Sequence, residues 1–139
     1  MSTARYPAWL LAPLLGLACA GGDEPVDPVW GKQPCAACAM LVSEPRHAGQ
    51  LLTEDGDRFY FDDPGCLAAY LAEREASARP ASRVRAAWVR DEAGRWIDAR
   101  SARYRTGART PMDYGFEAQA DGTASFAEVE RAARERGRR

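Results

Sequence analysis

Two well-separated helix starts, each preceded by strand-like segments, constrain the fold of this chain more than any other feature. Asp63 can cap, and Pro64 can open, a helix on which Leu67, Tyr70 and Leu71 recur at helical spacing up to about residue 76. Ser125 and Glu128 mark the other start, a capping box ahead of Phe126, Val129 and Ala133. Before the first helix, Leu51-Leu52-Thr53 and Arg58-Phe59-Tyr60-Phe61 flank Asp55-Gly56, a dipeptide that supplies the positive φ of a tight hairpin turn. Between the helices, strands are expected at 84–89 and 95–98, joined by turn residues 91–94, and again at 102–105 and 114–118. The class is α+β, with a β-β-α-type unit used twice in one compact domain.

The first thirty residues speak to location. Arg5 precedes an apolar run over 8–18, shorter than the ~20 residues that span a bilayer, so it reads as the core of a secretory signal peptide. The run ends at Gly16-Leu17-Ala18-Cys19, which resembles a bacterial lipoprotein cleavage box, with Gly16 where such boxes usually carry Leu. Residues 1–18 are then the signal peptide, and 19–30 a lipidated Cys19 and a flexible tether rich in Gly, Pro and Asp. The domain occupies 31–139, enough chain for one modest core. The expected location is periplasmic or otherwise extracytoplasmic, lipid-anchored, with the outer membrane favoured. The formal net charge of -1 gives no basic surplus of the kind that nucleic acid requires. The arginines over 131–139 suit a helix C-terminus, where the dipole favours cations.

The chemistry concentrates in Cys35-Ala36-Ala37-Cys38-Ala39-Met40. Soft sulfur donors select Cu(I), zinc or iron–sulfur clusters, and a thioether is a poor zinc ligand, so Met40 tips the reading toward copper. Met112 lies in the turn-rich stretch 110–115, where a packing Met is less expected than in a helix. Outside the cytoplasm Cys35 and Cys38 also read as a local disulfide, and Cys66 as a small buried apolar residue. His47, among polar neighbours, reads as an exposed turn residue. Two other functions fit parts of this set. A thiol-disulfide oxidoreductase would use Cys35 and Cys38, but such a pair normally opens a helix, and Met40-Leu41-Val42 looks like a strand. A structural zinc site would use Cys35, Cys38, Cys66 and His47 and leave both Met unexplained.

Four segments in order, 35–40, 61–66 (Phe-Asp-Asp-Pro-Gly-Cys), 96–99 (Trp-Ile-Asp-Ala) and 110–116 (Thr-Pro-Met-Asp-Tyr-Gly-Phe), resemble the NosL family of copper-binding lipoproteins accessory to nitrous oxide reductase. The resemblance spans nearly all of the domain. It implies two similar β-β-α-β units, with a topology like part of organomercurial lyase. It also implies a non-enzymatic Cu(I)-binding metallochaperone that helps build the copper–sulfide centre of the reductase, its expected copper-receiving partner. By position, Cys38 and Met40 match the family's Cys-x-Met ligands and Met112 its distant Met, with Cys35 as an additional candidate. Ala39 stands where family members often have Gly, and Cys35 is not present throughout the family.

Overall fold

The computed structural model describes residues 22–77 and 83–138, together with Met1. The expected signal peptide and the lipidated Cys19 lie outside the described residues. The hairpin forms from β1 (Gly49–Thr53) and β2 (Arg58–Phe61), and α1 (Pro64–Ala76) follows it directly. Then come β3 (Val84–Arg90), β4 (Trp96–Asp98), β5 (Tyr104–Thr106), β6 (Phe116–Ala118) and α2 (Phe126–Gly137). The class is α+β, as the sequence reads.

One antiparallel sheet has the order β2-β1-β3-β4, and β5 and β6 pair antiparallel in a smaller one. The first half therefore runs β1-β2-α1-β3, with β3 returning beside β1, while the second runs β5-β6-α2. Strand β4 extends the larger sheet, and Asp91 bridges in parallel to Ala118 of β6, which ties the two sheets together at that corner. The last strand begins later than the periodicity predicts, because Asp113 (φ 54) and Gly115 (φ 80) turn the chain before Phe116 can extend.

Local chemistry sets the helix ends. Asp63 Oδ1 accepts the Gly65 N–H at 2.8 Å, and Pro64 needs no donor in the first turn. At α2 the Glu128 carboxylate accepts both the Ser125 N–H (2.7 Å) and its hydroxyl (3.0 Å). The helices pack side by side against one continuous core that includes Leu51, Phe61, Leu67, Leu71, Val89 and Val129. Strand β1 is buried along its whole length. One of its faces meets α1, and the other meets the segment 22–29. Those residues, which the sequence assigns to the tether, lie on the sheet: the fully buried Gln50 amide pairs with the backbone of Val26. Arg58 donates to the Gly22 and Glu24 carbonyls, and Asp23 and Asp27 pair with Arg85 and Arg90.

Candidate metal centre

The stretch 33–42 folds as a tight hairpin-like turn. Pro34 bridges to Leu41, the Cys35 N–H donates to the Met40 carbonyl (2.7 Å), and the Ala39 N–H donates back to the Cys35 carbonyl (3.0 Å). Closing so short a turn puts Ala39 at φ 63, in the left-handed region. The Ala36 N–H donates to the Tyr60 carbonyl and docks this turn on β2 (2.8 Å). Asp62 follows directly on the end of β2, and Cys66 is the third residue of α1.

This arrangement gathers Cys35, Cys38, Asp62 and Cys66, whose ligand atoms all lie within 4.8 Å of one another. All three cysteines are free thiols, so the expected local disulfide is not formed. Cys35 and Cys66 are buried, and Cys38 is half-buried with its Sγ 3.5 Å and 3.6 Å from the two oxygens of Asp62. The Cys35 thiol is lowered to about 6, chiefly by the hydrogen bond from Cys66 and further by backbone N–H groups, against the opposing effect of burial. Cys66 is pushed up because it is the donor in that bond and is itself buried. Burial, with help from the neighbouring Cys35, raises Cys38 to about 11. Within the trio it is Cys35 whose thiol is favoured to ionise, while Cys38 and Cys66 are held up.

Met112 arrives from the far half of the chain. Asp63, besides capping α1, accepts the Met112 N–H through Oδ2 at 3.0 Å, and burial pushes its carboxyl above the usual range. From α2, Arg136 donates to the Met112 carbonyl at 2.5 Å and lies 4.7 Å from the Tyr114 ring centre. That ring covers Gly65, where a Cβ would fall only 1.9 Å from Tyr114 Cγ. Helices and loop together frame a cleft of about 580 Å³ whose lining includes Cys38, Cys66, Met112, Tyr114 and Ala69.

The NosL family model matches residues 25–134. The chain belongs to the NosL family. No curated protein and no solved structure matches it. NosL proteins are copper-binding and in general extracytoplasmic, and among the described residues of this member no helix is long and apolar enough to cross a membrane. In this NosL chain the turn holds Ala39 at positive φ, a conformation that glycine adopts without the steric cost of a Cβ.

Of the sequence candidates, Cys35, Cys38 and Met112 reach the cluster or its cleft. Met40 is 57% exposed and is not among the residues that line the cleft. His47 is a correction: it is buried, because the 3-10 turn Pro45–His47 packs against β3 and β6, away from the thiols. Its Nε2 lies 3.8 Å from Glu44, and its Nδ1 has no partner among the described residues. Cys66 is buried as read, yet it also belongs to the thiol cluster. Sequence reasoning missed Asp62 as the partner of Cys38 and gave Asp63 only its capping role. The signal was an acidic pair with one cap to fill, which left the other carboxylate unassigned.

Proposed function

We propose that this NosL protein carries Cu(I) outside the cytoplasmic membrane and supplies it to the copper–sulfide centre of nitrous oxide reductase. It acts by binding and release, without catalysis, and is held at the membrane by lipid on Cys19. The observation that carries this reading is a cluster of three thiols, two of which, Cys38 and Cys66, line one cleft with Met112, in a member of a copper-binding family. Thiolate and thioether donors suit Cu(I), and a low-coordinate mixed set of Cys38, Met40 and Met112 can exchange ligands with a recipient. Because Met112 is brought to the cleft by Asp63 and Arg136, the full donor set exists only in the folded chain, which couples copper binding to stability.

A zinc reading draws on the cluster itself, because three thiols and one carboxylate make a complete tetrahedral set. The test is anaerobic loading of the reduced protein in the presence of excess Zn(II), followed by incubation with copper-free reductase. Cu(I) is expected to be retained and to restore reductase activity. Cys38→Ser should abolish loading, and a Met40→Ala, Met112→Ala double variant should slow delivery. Displacement of Cu(I) by Zn(II), or undiminished loading of Cys38→Ser, refutes the proposal.

A further inference from the structure

We propose that the protein rests on the bilayer by the sheet face that carries the segment 22–29, so that the thiol cluster and its cleft open away from the lipid. This rests on the reading of Cys19 as the lipidated residue and adds an orientation to it. The segment is a strap that climbs the sheet from the β1–β2 hairpin end to the end where the thiols sit. Arg58, at the start of β2, donates to the carbonyls of Gly22 and Glu24. Further along, the backbone of Val26 pairs with the Gln50 amide of β1. Asp27, at the far end, accepts from Trp96 Nε1 at 2.7 Å and pairs with Arg90, the last residue of β3. Only Ala20 and Gly21 then separate Cys19 from Gly22. Three Cα–Cα steps of 3.80 Å reach at most about 11 Å.

That reach decides which side meets the lipid. The thiols gather beside Asp62, and from Arg58 to Asp62 the strand climbs about 13 Å at ~3.3 Å per residue. Bringing the cluster to the bilayer would take the link back over that distance. The cleft lies between α1 and α2, and α1 covers the opposite face of β1, where a Cβ on Gly49 would meet Leu67 at 3.3 Å. Turning the cleft to the lipid would take the link past a sheet and a helix layer, about 10 Å each. Both paths exceed its span. The strap face also has the chemistry of a zwitterionic headgroup surface. Asp23, Glu24 and Asp27 of the strap are matched in number by Arg58, Arg85 and Arg90 beneath it, so the face carries no net charge from these groups. Val26 and Val29 are exposed on the strap, at 52% and 63%. The tryptophans of 19–139 are Trp30, Trp88 and Trp96, and all stand on this side. Trp88 is the cross-strand neighbour of Gln50 and lies 6.0 Å from the Arg58 guanidinium. Trp30 continues the strap and shares Arg90 with Trp96, at 5.3 Å and 5.4 Å. Half-buried indoles, apolar with one polar N–H, suit the boundary between lipid and water.

The tryptophans supply the measurement. Acylated mature protein, its acyl chains established by intact mass, is reconstituted in phosphatidylcholine vesicles with and without lipid that carries a nitroxide on its headgroup. Tryptophan emission of the wild type should be lost in the labelled vesicles. A linker of about ten Gly and Ser residues inserted between Ala20 and Gly21 leaves every strap contact in place, adds about 17 Å of mean span, and should restore emission. Asp23→Ala with Asp27→Ala, which loosens the strap without changing a buried residue, should restore it as well. On the other side of the domain, a membrane-impermeant maleimide should alkylate Cys38 of the reduced protein as fast on vesicles as in the unacylated Cys19→Ser protein in solution. Undiminished emission from acylated wild type, quenching of the linker variant equal to wild type, or protection of Cys38 by the vesicles overturns the orientation. In each of those cases the acyl mass and Cu(I) loading of the same protein keep the anchor and the carrier reading. Absence of acyl chains overturns the anchor and the orientation together, while Cu(I) loading still decides the carrier reading on its own.

Discussion

Replacing Gly65 by Ala should damage the metal centre without touching any sulfur. The new Cβ would lie 1.9 Å from Cγ of Tyr114 and 2.3 Å and 2.4 Å from the two Cδ atoms, so it would press into the ring rather than against its edge. Reaching ordinary contact, about 3.5 Å between carbon atoms, requires a displacement of about 1.5 Å. The ring cannot shift that far alone. Arg136 lies 4.7 Å from the ring centre, and two residues upstream the Met112 N–H is held by Asp63 at 3.0 Å. Overpacking of this kind costs about 1–3 kcal/mol, and weakening a hydrogen bond to a buried carboxylate adds about 1.5–3 kcal/mol where it breaks. Against this, Ala is better than Gly in a helix by about 1 kcal/mol. The net expectation is a loss of about 2 kcal/mol, or a fall in Tm of about 10 °C for a domain of this size. Thermal and urea unfolding of Gly65→Ala, Tyr114→Ala and the double variant form the assay. The ring is the obstacle, so in the Tyr114→Ala background the Gly65→Ala change should cost nothing, giving a coupling of at least about 1 kcal/mol. Additive losses, or a Gly65→Ala protein as stable as wild type, would refute the packing of Tyr114 on α1.

Ala39→Gly should stabilise the domain by roughly 0.5–1 kcal/mol in urea unfolding, because the left-handed penalty of about 1–2 kcal/mol exceeds the extra chain entropy of glycine; destabilisation would contradict the observed φ of 63. Glu117 is buried between Arg46 and Arg105, which hold its carboxyl below the ordinary 4.5 although burial alone would raise it. A depressed carboxyl contributes stability that is present above the unfolded value and lost as pH falls through the folded one. Glu117→Gln should therefore cost about 1–2 kcal/mol at pH 7, since both arginines are half-exposed. The gap between wild type and variant should close on acidification below 4.5. Asp63 has the opposite sign, its raised carboxyl losing stability as pH rises, so the difference curve, not the wild-type profile, is the measurement. Intact mass of membrane-extracted protein should show acyl chains on Cys19, and an unmodified product starting beyond Ala20 would exclude the anchor.

What the sequence determined by itself is what depends on neighbours along the chain. The caps at Asp63 and Ser125 and the Asp55-Gly56 hairpin each involve a few consecutive residues, so their chemistry is legible before anything folds. The Cys35-x-x-Cys38-x-Met40 spacing likewise announced a sulfur site. Tertiary structure decided how those pieces meet. Asp62 faces Cys38 across 24 residues, and Asp63 holds Met112 across 49, contacts that no local pattern encodes. Cys66 joined the thiols because the first turn of α1 is docked beside the cysteine turn, whereas its apolar neighbours gave only the fact of burial. His47 went inside although its neighbours are polar, because β3 and β6 cover its turn. The segment 22–29, of tether-like composition, lies on the sheet because the buried amide of Gln50 needs the backbone of Val26 as its partner. Burial and through-space pairing are properties of the whole packed domain, and a carboxylate or thiol acquires its role only once folding fixes what stands opposite it.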